Sequence, residues 1–467
     1  MNNYLIKIEN FIKNKYINLY PTELKDKVLY LLQNGKRLRP ILFLLFTGED
    51  ELENTINSIY INYKSKKTII YIVAIIIEIL HSLSLILDDL PEMDDDIIRR
   101  DNPSFHIKYG IDYTNFFIYY MFNHVGLELD NCNNSFFENK KNKKDKKNKT
   151  KNINKQDNEL NIKIISDIQT IIRQNINYLI EGQYDDLDWY DNSSNSNVFV
   201  LNTSTILFLN EKDIIFELLN IDNELINYIK TIDKVNDIEL NIELNIKKTS
   251  SLFNLSITSG YILQLWKHNI NYLNNKKYNK IYKLLSIFSN ILGYMFQISD
   301  DILDIESDKV KNNPNICFIL DKDIVSKLLK NGCKWLYENA KVIHELMLQS
   351  SFEKQILEKQ DLKKQLLEKA APKQLLEKAA PKQLLEKAAP KYSANGLENY
   401  ETNSDEEYIK YDSDNYSSNE SDSEESSSEE VNSEEVNSEK VNSDIKNITF
   451  NLKVMNEIIG KIENRIK

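Results

Sequence analysis

The chain has 467 residues, and 71 Asp and Glu outweigh 59 Lys and Arg to give a formal charge of −12. That acidity is concentrated: residues 401–439 hold 15 acids and one Lys, which leaves the remainder close to neutral and does not exclude a core that binds anions. Three unevenly spaced cysteines (Cys132, Cys317, Cys333) provide neither a disulfide framework nor a metal cluster, so a reducing compartment with buried, unpaired thiols is expected.

The N-terminal segment MNNYLIKIENFIKNKYINLY places apolar residues at helical spacing and has no secretory-signal pattern. Helical periodicity dominates 1–130 and 161–350, so the fold class is all-α, with a basic Asn/Lys-rich insertion at 131–160. The run at 138–155 lacks interleaved aromatics and reads as solvated, not as a nucleic-acid site. Residues 68–87 (TIIYIVAIIIEILHSLSLIL) are apolar enough for a membrane span, but the charged DDLPEMDDD that follows favours the central helix of a large helical protein. The nonapeptide QLLEKAAPK occurs three times from 365, with each Pro ending a short helical piece. Together with the Ser/acidic stretch to 443 it makes a second insertion, 351–444, predicted to be disordered. A last helix is predicted at 445–467, where Ile445, Ile448, Leu452, Met455, Ile459, Ile462 and Ile466 trace one apolar face that docks back onto the core.

Two acidic clusters end apolar helices: Asp88, Asp89, Asp94, Asp95 and Asp96, then Asp300, Asp301 and Asp304. Asp300 and Asp304 stack on one helix face, where like charges cost about 0.2–0.5 kcal/mol per pair, so a compensating cation is expected. A hard divalent ion that bridges carboxylates to substrate phosphates fits, which points to magnesium. In the first cluster Pro91 distorts the turn and could return Asp94 to the metal-facing side. Cationic groups suited to phosphate lie at Lys36, Arg37 and Arg39, at Arg99 and Arg100, and at Lys247 and Lys248.

The ordered set GKRLRP, HSLSLILDDLPEMDDDIIRR, KKTSSLF and GYMFQISDDILD resembles the trans-isoprenyl diphosphate synthase (polyprenyl synthetase) family. The resemblance implies an all-helical bundle around a deep apolar cavity, a homodimer, and magnesium as cofactor. It implies that Asp88, Asp89, Asp94, Asp300, Asp301 and Asp304 hold magnesium. Arg99, Lys248, Thr249 and Gln297 would steady an allylic diphosphate, and Lys36, Arg39, His81 and Arg100 would bind isopentenyl diphosphate. Chain length in the family depends on positions matching Leu83 and Ser84, where no aromatic plug stands, and geranylgeranyl diphosphate is the expected product. A longer-chain synthase, a weakly active regulatory subunit, a terpene cyclase and a scaffold are the alternatives. The loop after Asp304 lacks the family's usual lysine pattern, for which Lys309 or Lys311 could substitute, and bulky aromatics fill YTNFFIYYMFNHVGLEL where small residues are usual. EGQYDDLDW also resembles a family motif. The expected location is cytoplasmic or a plastid-type organelle.

Overall fold

The computed structural model describes residues 1–48, 65–137, 148–188, 235–270, 275–311, 313–370 and 448–466, with the single residues Tyr63 and Ile215. The chain divides into two compact units, Met1–Gln355 with Asn447–Lys467, and Ile356–Lys446. Of the second unit only the helical stretch 356–370 is described, so the last two nonapeptide repeats and the Ser/acidic stretch lie outside the described residues.

The first unit is all-α, as expected. Its helices are α1 (Asn2–Asn14), α2 (Thr22–Leu32), α3 (Leu38–Phe46), α4 (Lys66–Asp88), α5 (Phe105–Tyr109), α6 (Ile111–Phe137), α7 (Asn148–Asp188), α8 (Val235–Asn245), α9 (Ser251–Lys267), α10 (Lys276–Leu303) and α11 (Ile305–Lys311). Helix α12 (Lys322–Ala370) runs on into the second unit, and α13 (Leu452–Glu463) returns to the first. Among the described residues the only strands are a two-residue antiparallel pair, Ile98 with Pro103 and Arg99 with Asn102.

Helix α4 organises the core. Ser65 caps it by accepting a hydrogen bond from the Thr68 amide, and residues 69–80 are buried without interruption. A helix apolar on every side needs apolar neighbours on every side, and α1, α2, α3, α6 and α9 supply them. Its length and hydropathy would also suit a membrane, yet 89% of that window is buried inside the protein, which is the central-helix arrangement.

The C-terminal segment packs against the core. Ile448, Met455, Ile459 and Ile462 are buried together with Phe450 and Ile458, Leu452 and Ile466 pack at the margin, and Ile445 lies outside the described residues. Phe450 stacks on Phe46 of α3 at 4.6 Å, tying the segment to a helix 400 residues upstream.

Two details differ from expectation. Helices α6 and α7 extend into the stretch read as the 131–160 insertion, where Cys132 is a core residue; residues 138–147 lie outside the described residues. Cys132 and Cys333 are buried, but Cys317 is only half-buried. The bulky residues of α6 are accommodated by sorting: Phe117, Met121 and Val125 face inward, while Phe116 and Tyr119 are 75% and 72% exposed.

Candidate active site

A cleft of about 450 Å³ opens where α4, α7, α9 and α10 meet the 33–39 turn. Helix α4 sends His81, Ser84 and Asp88 into it, at the three- and four-residue steps that share one helix face. Leu83 points the other way and is fully buried. The Ser84 hydroxyl donates to the His81 carbonyl at 2.8 Å, so it offers the cleft a small, internally satisfied wall.

Beyond α4 the chain folds back on itself. The Asp94 amide donates to the Asp88 carbonyl at 2.9 Å and the Asp95 amide to that of Leu90 at 3.1 Å, with Asp95 in the left-handed region. This turn, which contains Pro91, returns Asp94 toward Asp88. Burial pushes the Asp94 carboxyl up to about 6, against the pull of Lys248 and with the push of Asp88. Asp89 is buried and clamped by Arg99, whose Nε donates to it at 2.7 Å and whose Nη2 also reaches Asp96 at 3.0 Å. Lys311 of α11 forms an ion pair with Asp96. Of the two lysines after Asp304, Lys311 therefore crosses to the first acidic cluster.

Residues 246–250 form a single π-helical turn between α8 and α9. Such turns are frequent at functional sites because they re-aim successive side chains. Here Lys247 turns toward Asp185 (2.9 Å) and Glu243 (3.1 Å), while Lys248 pairs with Asp186 at 2.6 Å and lies 3.7 Å from Asp88. Although burial opposes it, the carboxylates of Asp88, Asp186 and Asp94 hold the Lys248 ammonium above its usual range. Close approach requires glycine on both flanks: a Cβ on Gly182 would come within 2.5 Å of the Lys248 amide nitrogen, and one on Gly293 within 2.6 Å of Ser250 Cα. Gln183 donates to Asp88, bringing a third element onto the same carboxylate.

On α10, Phe296, Gln297 and Asp300 line the cleft. Gln297 accepts from the Thr249 hydroxyl at 2.7 Å and donates to Asp301 at 2.8 Å. Asp301 itself faces protein: it is 2% exposed, and its second oxygen accepts from the Ile316 amide at 3.1 Å. Burial raises its carboxyl to about 7. Asp304 caps the end of α10, is exposed, and does not line the cleft. Asp300 forms an ion pair with Arg465, which follows α13 and whose guanidinium lies 4.6 Å over the Phe296 ring. Burial raises the Asp300 carboxyl and Arg465 opposes that rise.

The cleft also has a cationic lining. Lys36, Arg39, Arg99 and Arg100 line it with His81. Arg39 Nη1 lies 3.1 Å from His81 Nε2, and since arginine can only donate, that nitrogen accepts and the ring proton sits on Nδ1. Burial, reinforced by Arg39, keeps the imidazole neutral. Arg39 also stacks on Phe253 at 4.8 Å.

The cleft thus gathers Lys36, Arg39, His81, Ser84, Asp88, Arg99, Arg100, Lys248, Thr249, Gln297 and Asp300; Leu83, Asp89, Asp94, Asp301 and Asp304 are not part of its lining. Gln183, Asp186 and Arg465 join the charge network without having been singled out from the sequence. Among the described residues no three acids converge tightly enough to cage an ion alone. Hard carboxylate oxygens from two helices lining one open cleft fit an ion that keeps waters and completes its shell with phosphate oxygens.

Residues 21–207 match the family model described as Polyprenyl synthetase. A farnesyl diphosphate synthase from Buchnera aphidicola is 26% identical over 302 residues, 63% of this chain and 80% of that protein. A geranylgeranyl diphosphate synthase from Cyanophora paradoxa is 39% identical over 93 residues, 20% of this chain, and the match spans about a quarter (27%) of that protein. A geranyltransferase from Helicobacter pylori, solved with magnesium and isoprenyl diphosphate, is 19% identical over 73% of this chain and 89% of that one, with a TM-score of 0.47. The family match takes in the GKRLRP turn, the first acidic cluster and the α7 segment that carries Gln183, and over that stretch the chain is similar to the polyprenyl synthetase family.

Proposed function

We propose that the chain is a magnesium-dependent prenyltransferase that condenses isopentenyl diphosphate with an allylic diphosphate and releases pyrophosphate. The observation that carries this reading is one cleft that gathers the carboxylates of Asp88 and Asp300 together with Lys248, Lys36, Arg39, Arg100 and neutral His81. The carboxylates suit a metal-bound diphosphate and the cationic groups a second, metal-free diphosphate.

Asp88, Asp94 and Asp300 would hold magnesium, which when bound neutralises charge building on the departing pyrophosphate. Lys248, Arg99, Thr249 and Gln297 steady the allylic diphosphate. Lys36, Arg39, Arg100 and His81 hold the isopentenyl diphosphate, placing its double bond toward the allylic carbon. The allylic carbon–oxygen bond breaks and its electron pair leaves with pyrophosphate; the isopentenyl double bond supplies the pair for the new carbon–carbon bond. The proton then lost passes to the released pyrophosphate, so no side-chain base is assigned. Leu85, Leu179, Leu252 and Phe296 line the cleft and shield the carbocation from water.

The proposed product is geranylgeranyl diphosphate, supported by the small Ser84 wall where an aromatic side chain would shorten the space. A homodimer is proposed on the exposed apolar stripe Tyr113, Phe116, Tyr120 and Leu127 of α6. Purified protein incubated with magnesium, labelled isopentenyl diphosphate and dimethylallyl, geranyl or farnesyl diphosphate should yield elongated products that Asp88→Ala abolishes. No elongation with any primer would shift the reading to a regulatory subunit. Phe116→Arg should convert the dimer to monomer in light scattering.

A further inference from the structure

Beside the cationic lining of the cleft stands one acid that the reaction above does not use. Glu78 lies on α4 one turn ahead of His81, is 1% exposed, and lines the cleft. Its Oε1 accepts from Arg37 Nη1 at 2.8 Å, while its Oε2 has no hydrogen-bond partner among the described residues. Arg37 is fully committed to protein: Nε donates to Glu9 at 2.9 Å and Nη2 to the Leu32 carbonyl. It therefore acts as a strut between α1, α2 and α4, not as a diphosphate ligand.

The same carboxylate lies close to the arginines assigned above to isopentenyl diphosphate. A Cβ on Gly35 would meet Arg37 Nη1 and would lie 2.7 Å from Glu78 Oε1 and 3.0 Å from Arg100 Nη1, so these three groups crowd one point beneath the 33–37 turn. Burial pushes Arg39 down to about 10 and lowers Arg100 as well, and Glu78 is the carboxylate that most opposes both shifts. Arg39 Nε, like Glu78 Oε2, has no partner among the described residues. A buried donor left unpaired at the margin of the cleft is costly unless a ligand accepts from it, which a diphosphate oxygen can do for Arg39 Nε; the free oxygen of Glu78 is left to the guanidinium charges around it.

We propose that Glu78 is a positioning residue for the isopentenyl diphosphate subsite: its buried carboxylate fixes Arg39 and Arg100 at diphosphate spacing before the ligand arrives. Without that counter-charge, three mutually repelling guanidinium groups would have to share the same space. The proposal rests on the functional reading given above. It separates the two substrates, because Arg99 and Lys248, which serve the allylic side, are held instead by Asp89, Asp96, Asp88 and Asp186.

The test is steady-state kinetics of the full chain with each substrate varied in turn. Glu78→Gln keeps the shape and the acceptor for Arg37 but removes the charge, and should raise KM for isopentenyl diphosphate about tenfold while leaving the allylic KM and kcat within about twofold. Glu9→Gln loosens the Arg37 strut from its other end and should leave both KM values within about twofold. If Glu78→Gln leaves the isopentenyl KM unmoved, or if Glu9→Gln reproduces its effect, Glu78 is only part of the scaffold and the proposal falls. Should Glu78→Gln fail to fold, Gly35→Ala presses on the same three groups from the turn and must give the same one-sided KM change, or the proposal is overturned. Wild-type protein that elongates no primer would defeat the functional reading instead, a result distinct from an active wild type with an unmoved KM.

Discussion

The acidic cluster after α4 and the one near the end of α10 look alike in sequence, yet the protein builds them differently. The first is a folded-back turn whose carboxylates are gripped from several elements: Arg99 holds Asp89, Gln183 and Lys248 reach Asp88, and Lys311 reaches Asp96. The second stays on a helix and its end, where adjacent residues diverge by about 100°, so Asp300 enters the cleft while Asp301 turns inward to the Ile316 amide. Neighbouring aspartates in a motif can thus divide the work, one facing the ligand and one fastening the loop that follows.

Substitutions can break this comparison. The largest expected effect is on turnover: Asp88→Ala and Asp300→Ala should each lower kcat by roughly 10²–10³-fold or more, read from labelled-product assays. Asp301→Asn should behave differently, lowering kcat less than tenfold while costing about 1–3 kcal/mol in urea denaturation, because it unpairs a buried hydrogen-bonded group. If Asp301→Asn matched Asp300→Ala in kcat and kept its stability, the division of roles would be wrong.

The same pair differs in pH response. The folded Asp301 carboxyl, at about 7, lies above its ordinary 3.8, so the folded protein keeps a proton that the unfolded chain releases. Its contribution to stability is complete below pH 4 and is lost as pH rises through 7. Asp301→Asn should flatten that slope in metal-free protein, and Asp300→Asn should keep most of it.

A smaller effect is expected at the crossing between the clusters. Lys311→Met removes the pair with Asp96 and should raise the allylic KM by about three- to fivefold with kcat little changed. Smaller still, Arg465→Gln frees Asp300 of a competing cation and should tighten Mn²⁺ binding to ligand-free protein by about two- to fivefold, measured by electron paramagnetic resonance.

Much of the site was legible because its chemistry is carried by residue types that rarely gather by chance. Asp88, Asp94 and Asp300, the GKRLRP turn and Lys248 with Thr249 could all be named from order and spacing. The return of Asp94 was legible too, since Pro91 marks a turn. What could not be read were the pairings across the fold: Arg465 meeting Asp300, Lys248 choosing Asp186, and Arg37 turning to Glu78 and Glu9. Helical spacing reports which residues share a face, not which face a neighbouring helix will cover. The π-turn at 246–250 left no periodic trace, because one turn is too short to shift an apolar pattern. EGQYDDLDW was the available signal for Gln183 and Asp186, visible as a motif but without an assigned role.

The docking of α13 has a consequence for the long stretch that precedes it. Ile448, Phe450, Met455, Ile458, Ile459 and Ile462 bind the core as a tethered peptide ligand would, and the Ile356–Lys446 unit is the tether. A chain cut within the insertion would hold its last helix only by the bare affinity of a 20-residue peptide, and active-site integrity would then depend on protein concentration.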